Sequence, residues 1–327
     1  VAGQGPAHPI ADLPGGADRQ QRRLDLAARA AWLYYVGEKT QDEIAAALNL
    51  SRQGAQRLLA LARSAGLVRF RLDRRMAECA EAAERLRARF GLRFCDVVPS
   101  SGVPISDVAV SAAEQIEARL ASLEPIILAL GSGRTLRAAV QQVSPVHRPQ
   151  HRIVALVGNL THAGRASPFE VASRLADLAA AQCHPMPLPV LADTAEEAAQ
   201  MRAQRVYQLL HELVRKAATH FVGVGNIAHG APLHNDGFVS GAELDGLLAL
   251  GAVGEICGRT FDRDGRIIAG GHADRVMAIP FDDPPDPDRI GVSAGPTKVF
   301  PITAALRGRW LSGLITDEVT AAGILGL

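Results

Sequence analysis

The 327-residue sequence predicts an α/β protein of two unequal parts: a small N-terminal winged helix-turn-helix domain and a larger domain built on a mostly parallel sheet. Three observations carry this. Between Leu24 and Gly66, apolar residues recur at helical spacing in three short segments with recognisable starts and stops. From Leu92 onward, short apolar runs alternate with amphipathic stretches, the pattern of a parallel sheet covered on both faces. Several of those runs end in a glycine turn leading into a helix, where ligands sit in such sheets.

With 48% hydrophobic residues the chain can bury a substantial core, which excludes disordered and fibrous classes. It contains no run of about 18 apolar residues and no basic segment leading into an apolar stretch, so a soluble, cytoplasmic protein is expected. Cys79, Cys95, Cys183 and Cys257 are far apart and form no Cys-x-x-Cys pair, the pattern of buried thiols in a reducing compartment. The net charge of +1 conceals an asymmetry. Between Arg19 and Arg75 there are twelve Arg or Lys against five Asp or Glu, so the remainder is acidic overall. A local basic surplus suits a phosphate backbone, although a solvated basic surface has the same composition.

Residues 1–18 are rich in Gly, Pro and Ala without periodicity and are expected to form a flexible tail. Residues 19–75 form the expected DNA-binding domain. Its first helix shows the stripe Leu24, Ala27, Ala28, Ala31 and Tyr34 or Tyr35, and ends at Gly37. Thr40-Gln41-Asp42-Glu43 has the spacing of a capping box and opens a second helix with inner face Ile44, Ala47 and Leu48. After Asn49-Leu50, Ser51 is a suitable cap for a third helix that turns Ala55, Leu58, Leu59 and Ala62 inward. Arg52, Gln53, Gln56 and Arg57 then lie on the opposite side, together with Ser51 at the helix start. That arrangement suits a recognition helix, which packs by one side and offers Arg and Gln to base edges and phosphates. The alternation Leu67 to Leu72 suggests a strand or wing with Arg69 and Arg71 outward. Residues 76–91 continue as a helix with stripe Met76, Ala80, Ala83, Leu86 and Phe90, which either packs against the next domain or forms a seam with another subunit; the favoured reading is a linker that also helps dimerise the chain.

Residues 92–327 form the larger domain. Strands are expected at Arg93–Val98, Pro125–Leu130, Arg152–Val157, Pro187–Leu191, His220–Val224, Val253–Cys257, Val276–Ile279, Ile290–Ser293 and Leu311–Ile315, with helices at Ser106–Leu123, Pro168–Ala181, Ala195–Ala217 and Thr297–Arg307. Four strand ends offer binding groups. In the first, Gly131, Ser132, Gly133, Arg134 and Thr135 join a buried strand to a helix, so amides can face an anion. This run lacks the third glycine of a dinucleotide site and the lysine of a P-loop, which disfavours nucleotide cofactors; none is expected. In the second, Asn159 and Glu170 can read polyol hydroxyls or cap the loop and the following helix. The third places Gly225 and Asn226 after a strand, with His229 beyond. The fourth turns at Gly295 and brings Lys298 to the first turn of a helix, where a cation is unfavourable unless an anion lies between. Asp245, on a helix after Ser240, is a further candidate for the effector; neither it nor the Asp262–Gly265 turn reads as a metal site.

The run Thr40-Gln41-Asp42-Glu43-Ile44-Ala45 followed by Leu50-Ser51-Arg52 resembles the helix-turn-helix of SorC/DeoR-like bacterial transcriptional regulators. Further marks are Gly131–Thr135, Gly251–Arg259, Ala294–Lys298 and Thr316-Asp317-Glu318. The resemblance covers nearly all of residues 24 to 327. It implies a Rossmann-like α/β effector domain akin to sugar-phosphate isomerases and deaminases, which binds a phosphorylated sugar or polyol and changes the affinity for double-stranded operator DNA. It also implies dimers assembling into tetramers and favours a repressor. Two departures stand out: the segment before Glu170 lacks the family's Asn residues, and Pro296 replaces a glycine. The alternatives are a sensor of an unphosphorylated sugar or polyol, an enzyme of the same fold, and an architectural nucleic-acid binder with an inert oligomerisation domain, against which the glycine-bearing strand ends and Lys298 argue. The enzyme would need an acid and a base near the sugar carbons, and His162, Glu170, His229 and Asp245 form no sharp constellation for that. No catalytic residue is assigned.

Overall fold

The computed structural model describes residues 16–68, 74–161, 164–167, 169–281 and 288–327. The chain divides into two compact units, Val1–Leu72 and Asp73–Leu327, each considered by itself.

The first unit is a three-helix bundle of α1 (Gly16–Tyr35), α2 (Gln41–Leu48) and α3 (Arg52–Ser64). Helix α1 starts within the expected tail, because its first turns are polar and show no apolar stripe to mark them. Its buried face is Ala27, Ala30 and Ala31, and Tyr34 and Tyr35 are exposed. The capping box holds: Thr40 Oγ1 accepts from the Glu43 N–H at 3.3 Å, and the Thr40 N–H donates to Glu43 Oε2 at 2.8 Å. Helix α2 buries Ile44 and Ala45 where Ala47 was expected, and Leu48 is half-buried. Helix α3 buries Ala55, Leu58, Leu59 and Ala62 as its spacing predicts. Asn49 turns the chain between them in the left-handed region, φ 53°. The expected wing falls largely on 69–73, outside the described residues.

The second unit begins with α4 (Arg74–Phe90), followed by β1 (Phe94–Val98), α5 (Pro104–Leu120), β2 (Ile127–Leu130), α6 (Arg134–Gln142) and β3 (Arg152–Ala155). Next come α7 (Ala172–Ala179), β4 (Gln182–His184), α8 (Ala195–Ala203), α9 (Arg205–Arg215), β5 (Thr219–Val222) and β6 (Gly225–Asn226). The order ends with α10 (Pro232–Asn235), α11 (Gly241–Ala249), β7 (Gly254–Ile256), β8 (Arg259–Phe261), α12 (His272–Arg275), β9 (Asp288–Val292), α13 (Val299–Arg307), β10 (Gly313–Asp317) and α14 (Glu318–Gly326). Seven parallel strands form the main sheet in the order β1-β10-β9-β5-β2-β3-β4, and β6-β7-β8 form a small antiparallel sheet. The inner strands β10, β9, β5, β2 and β3 are buried almost throughout, whereas the edge strands β1 and β4 are mostly half-buried or exposed.

Several expectations are revised. Helix α4 buries Cys79, Ala83 and Leu86 in the core of its own unit, while Met76 is 53% exposed. The Arg75 guanidinium bonds Glu318 at the head of α14, which ties the helix down further. Residues 187–191 and 276–279 are not strands; they make isolated bridges, Leu191 with Val276 and Val157 with Ala278. The 253–257 strand exists only as β7, in the small sheet. The single helix expected over 195–217 is two, because Gln204 adopts extended backbone (φ −67°, ψ 144°) that no Gly or Pro announces. The helix expected from 168 starts at Ala172, and that expected from 297 opens with a 3-10 turn, Pro296–Lys298, before α13.

Candidate functional site

A cavity of about 420 Å³ lies within the second unit, over the carboxyl ends of β2, β5 and β9, neighbours in the sheet but distant in sequence. Its floor and walls come from Ser132–Leu136 after β2, Gly223–Gly225 after β5, Ala294–Lys298 after β9, and the tip of the β7–β8 hairpin. The segment around α10 contributes Pro232, Leu233, Asp236 and Phe238.

Each wall is shaped by local backbone chemistry. The Gly131 N–H donates to Phe221 O at 2.9 Å, and a Cβ there would press on Cys257 Sγ at 3.2 Å. Gly133, at φ +131°, then turns the chain into α6, whose start has no side-chain cap. Gly295, at φ +119°, does the same before Lys298, its N–H bonded to Thr320 Oγ1 at 2.8 Å. Its 3-10 turn is likewise uncapped by a side chain. First-turn amides have no partner within their own helix, so the start of α6 has donors for an anion, whereas at the other turn Pro296 has no N–H and the Lys298 N–H donates to Gly295 O at 2.9 Å.

The charged groups are few and specific. Lys298 Nζ donates to Asn226 Oδ1 at 2.9 Å. Burial lowers the Lys298 ammonium below its ordinary range; Glu255 works against that shift and Arg134 adds to it. Burial raises the Glu255 carboxyl, while the Gly258 N–H bonded to Oε2 at 2.8 Å and the charge of Lys298 favour its ionised form. Arg134 Nη2 donates to both oxygens of Asp236, at 2.7 and 3.0 Å, and its guanidinium lies 4.8 Å above the Phe169 ring. Burial pushes the Cys257 thiol up to about 12, which makes it a packing group rather than a nucleophile.

Of the residues singled out from sequence, Ser132, Gly133, Arg134, Thr135, Gly225, Gly295 and Lys298 line this one cavity, and Gly131 supports it from behind. Asn159, Glu170 and Asp245 do not line it. Glu170 Oε1 instead accepts from the Ala172 and Ser173 N–H groups at 2.7 and 3.1 Å, capping α7. Asn159 is held by its backbone, its N–H on Leu188 O and its carbonyl accepting from the Ser167 N–H. Asp245 pairs at the surface with His229 Nε2 at 3.0 Å. His162 lies outside the described residues. Sequence reasoning passed over Asp236, Phe169 and Phe238 as site residues, because nothing local marks a residue that reaches the site from another turn. Asn226 and Glu255 were within noted runs but had no assigned role; a carboxylate inside a glycine-flanked hairpin was the available signal.

In the first unit, Ser51 Oγ accepts from the Gly54 N–H at 3.1 Å and caps α3. Arg52, Gln53, Gln56 and Arg57 are exposed along that helix, opposite its buried face. Arg69 and Arg71 lie outside the described residues. Among the described residues no helix is long and apolar enough to cross a membrane, and no cluster of His, Cys, Asp and Glu could hold a metal ion.

Residues 74–326 match a family described as "Putative sugar-binding domain". The chain is 32% identical over 304 residues to the erythritol catabolism regulatory protein EryD of Brucella abortus, covering 92% of this chain and 96% of that protein. The chain belongs to the SorC/DeoR-like family of sugar-binding bacterial transcriptional regulators. Another relative, the transcriptional regulator LsrR of Klebsiella pneumoniae, is 30% identical over 311 residues, 93% of each chain. The full-length sorbitol operon regulator SorC of Klebsiella pneumoniae shares the fold, with a TM-score of 0.68 at 24% identity, covering 92% of this chain and 98% of that one. A DeoR family regulator of Listeria monocytogenes shares it at 0.68 over 75% of this chain and 99% of that one, at 18% identity. This SorC/DeoR-like chain is therefore a sugar-binding, DNA-binding transcriptional regulator, and these relatives are regulators rather than enzymes of the same fold.

Proposed function

We propose that the protein is a transcriptional repressor whose operator affinity is set by a phosphorylated sugar or polyol bound in the cavity. The observation that carries this reading is Lys298: it is half-buried at the cavity wall, its Nζ turned onto Asn226, beside two helix starts that lack side-chain caps. A half-buried ammonium beside the free first-turn amides of α6 suits a phosphate dianion. Glu255 supplies acceptors for sugar hydroxyls, and Phe169, Phe238, Leu233 and Val190 supply the apolar wall for the carbon skeleton. Similarity to an erythritol catabolism regulator makes short polyol phosphates the first ligands to try.

In this reading α3 enters the major groove with Arg52, Gln53, Gln56 and Arg57 toward bases and phosphates, and Ser51 at the backbone, and Arg69 and Arg71 add contacts to the DNA. The protein works in the cytoplasm as a homodimer that assembles into a tetramer, so effector binding changes the spacing of paired recognition helices. The test is calorimetric titration with phosphorylated polyols, pentoses and hexoses, each beside its unphosphorylated twin. Phosphate-dependent binding lost at least tenfold in Lys298→Ala is expected, the cost of one charge-assisted hydrogen bond. Selective binding of an unphosphorylated twin would overturn the phosphate reading. Operator binding with and without the ligand then decides repression: release on binding is expected.

A further inference from the structure

The cavity holds its own anion. Arg134, the first residue of α6 and a cation at the proposed phosphate position, is taken by Asp236, whose two oxygens both accept from Nη2. Asp236 belongs to a different part of the chain, directly after α10, and its side chain is only 18% exposed against the cavity. The groups around the cavity are thus balanced, Lys298 and Arg134 against Glu255 and Asp236. A phosphomonoester dianion added with Asp236 in place would set three carboxylate and phosphate groups against two cations, inside walls that screen poorly.

The segment that holds Asp236 is bounded by two glycines in the left-handed region. Gly230 at φ +78° and Gly237 at φ +77° flank it, and a Cβ on either would meet nothing within 4 Å. Between them α10 is four residues long. Leu233 from this segment and Phe238 just beyond it face the cavity, and His229 just before it pairs with Asp245 at the surface. At the far end, the Ser240 N–H and hydroxyl bond Glu243, which in turn pairs with Arg275. Between these ends Leu233 packs against a small apolar cluster, and the segment's polar bond to the opposite wall is the Asp236–Arg134 pair.

We propose that Asp236 is an internal stand-in for the effector's anion: phosphate displaces it from Arg134, and the freed segment 231–236 carries the signal of occupancy. The inference rests on the phosphate reading above and adds a competitor to it. An effector with no anion leaves the pair intact and the segment in place.

The experiment titrates the full-length protein with inorganic phosphate, followed by phosphorus NMR, in the wild type and in Asp236→Asn, Asp236→Ser and Lys298→Ala. Removing the competitor should tighten phosphate binding roughly three- to tenfold in both Asp236 variants, the worth of a partly exposed ion pair. Amide hydrogen exchange across 231–238 should quicken when the wild type is saturated with phosphate, and should already be fast in Asp236→Asn without it. If the wild type binds phosphate and Lys298→Ala loses it, yet both Asp236 variants bind equally or more weakly, Asp236 merely positions Arg134 and the displacement is wrong. Failure of every form, the Asp236 variants included, to bind phosphate overturns the phosphate reading and the displacement together.

Discussion

Glu255 occupies the space that a Cβ on Gly225 would need, so the carboxylate and the glycine are a matched pair at the cavity wall. The glycine is there for close approach rather than for an unusual backbone angle. Gly225→Ala must push Glu255 out of its bond to the Gly258 N–H. The expected result is a fall in effector affinity of about tenfold or more, with a stability loss of about 1–3 kcal/mol from overpacking. Calorimetric titration beside urea unfolding separates the two.

Glu170 gives the opposite prediction. As the cap of α7 it contributes to stability and not to recognition. Glu170→Ala should cost about 0.5–2 kcal/mol in chemical denaturation. Effector affinity measured on the folded variant should stay within about twofold of the wild type, well under the effect of losing a direct polar contact. A large loss of affinity at unchanged stability would return Glu170 to the binding site.

On the DNA side, Arg52→Ala and Arg57→Ala should each weaken operator binding across sequences and reduce the slope of log affinity against log salt by about 1 if the side chain neutralises a phosphate. Gln53→Ala and Gln56→Ala should instead cost about 1–3 kcal/mol at particular base pairs and relax preference there. Fluorescence anisotropy with a set of singly changed operators distinguishes the patterns. Identical behaviour of all four variants on specific and random DNA would remove α3 from base readout.

His220 makes stability depend on pH. Burial, helped by Arg289 and opposed by a bond to the Val214 carbonyl, lowers its pKa to about 4. The folded protein therefore keeps the ring neutral between about pH 6.5 and 4, while the unfolded chain binds a proton there. Folding must expel that proton, so this residue costs stability as pH falls through the window, at up to about 1.4 kcal/mol per pH unit. Urea midpoints at pH 7 and pH 5 should fall further in the wild type than in His220→Leu. Equal falls would show that His220 does not titrate in this way.

Much of the fold was legible because it is periodic. The capped, striped helices α2 and α3 follow from local spacing, and β2, β5, β9 and β10 are apolar runs that only a sheet covered on both faces can hide. Strand β4 was not legible: Gln182-Cys183-His184 at the sheet edge has too little apolar character to announce itself. The break at Gln204 was hidden for the same local reason, since backbone direction there is set without Gly or Pro.

By itself, the sequence determined that there are two domains, that one carries an Arg/Gln helix face, and that glycine turns end the strands of the other. Lys298 was marked by a conflict readable in sequence, a cation at the start of a helix. Only the tertiary structure decided which turns meet. It brought Asp236 onto Arg134 across about a hundred residues, seated Glu255 against Gly225, and sent Glu170 to a helix cap. The reason is geometric: periodicity and capping act over a few residues of chain, whereas a cavity is made where strand order brings distant turns together.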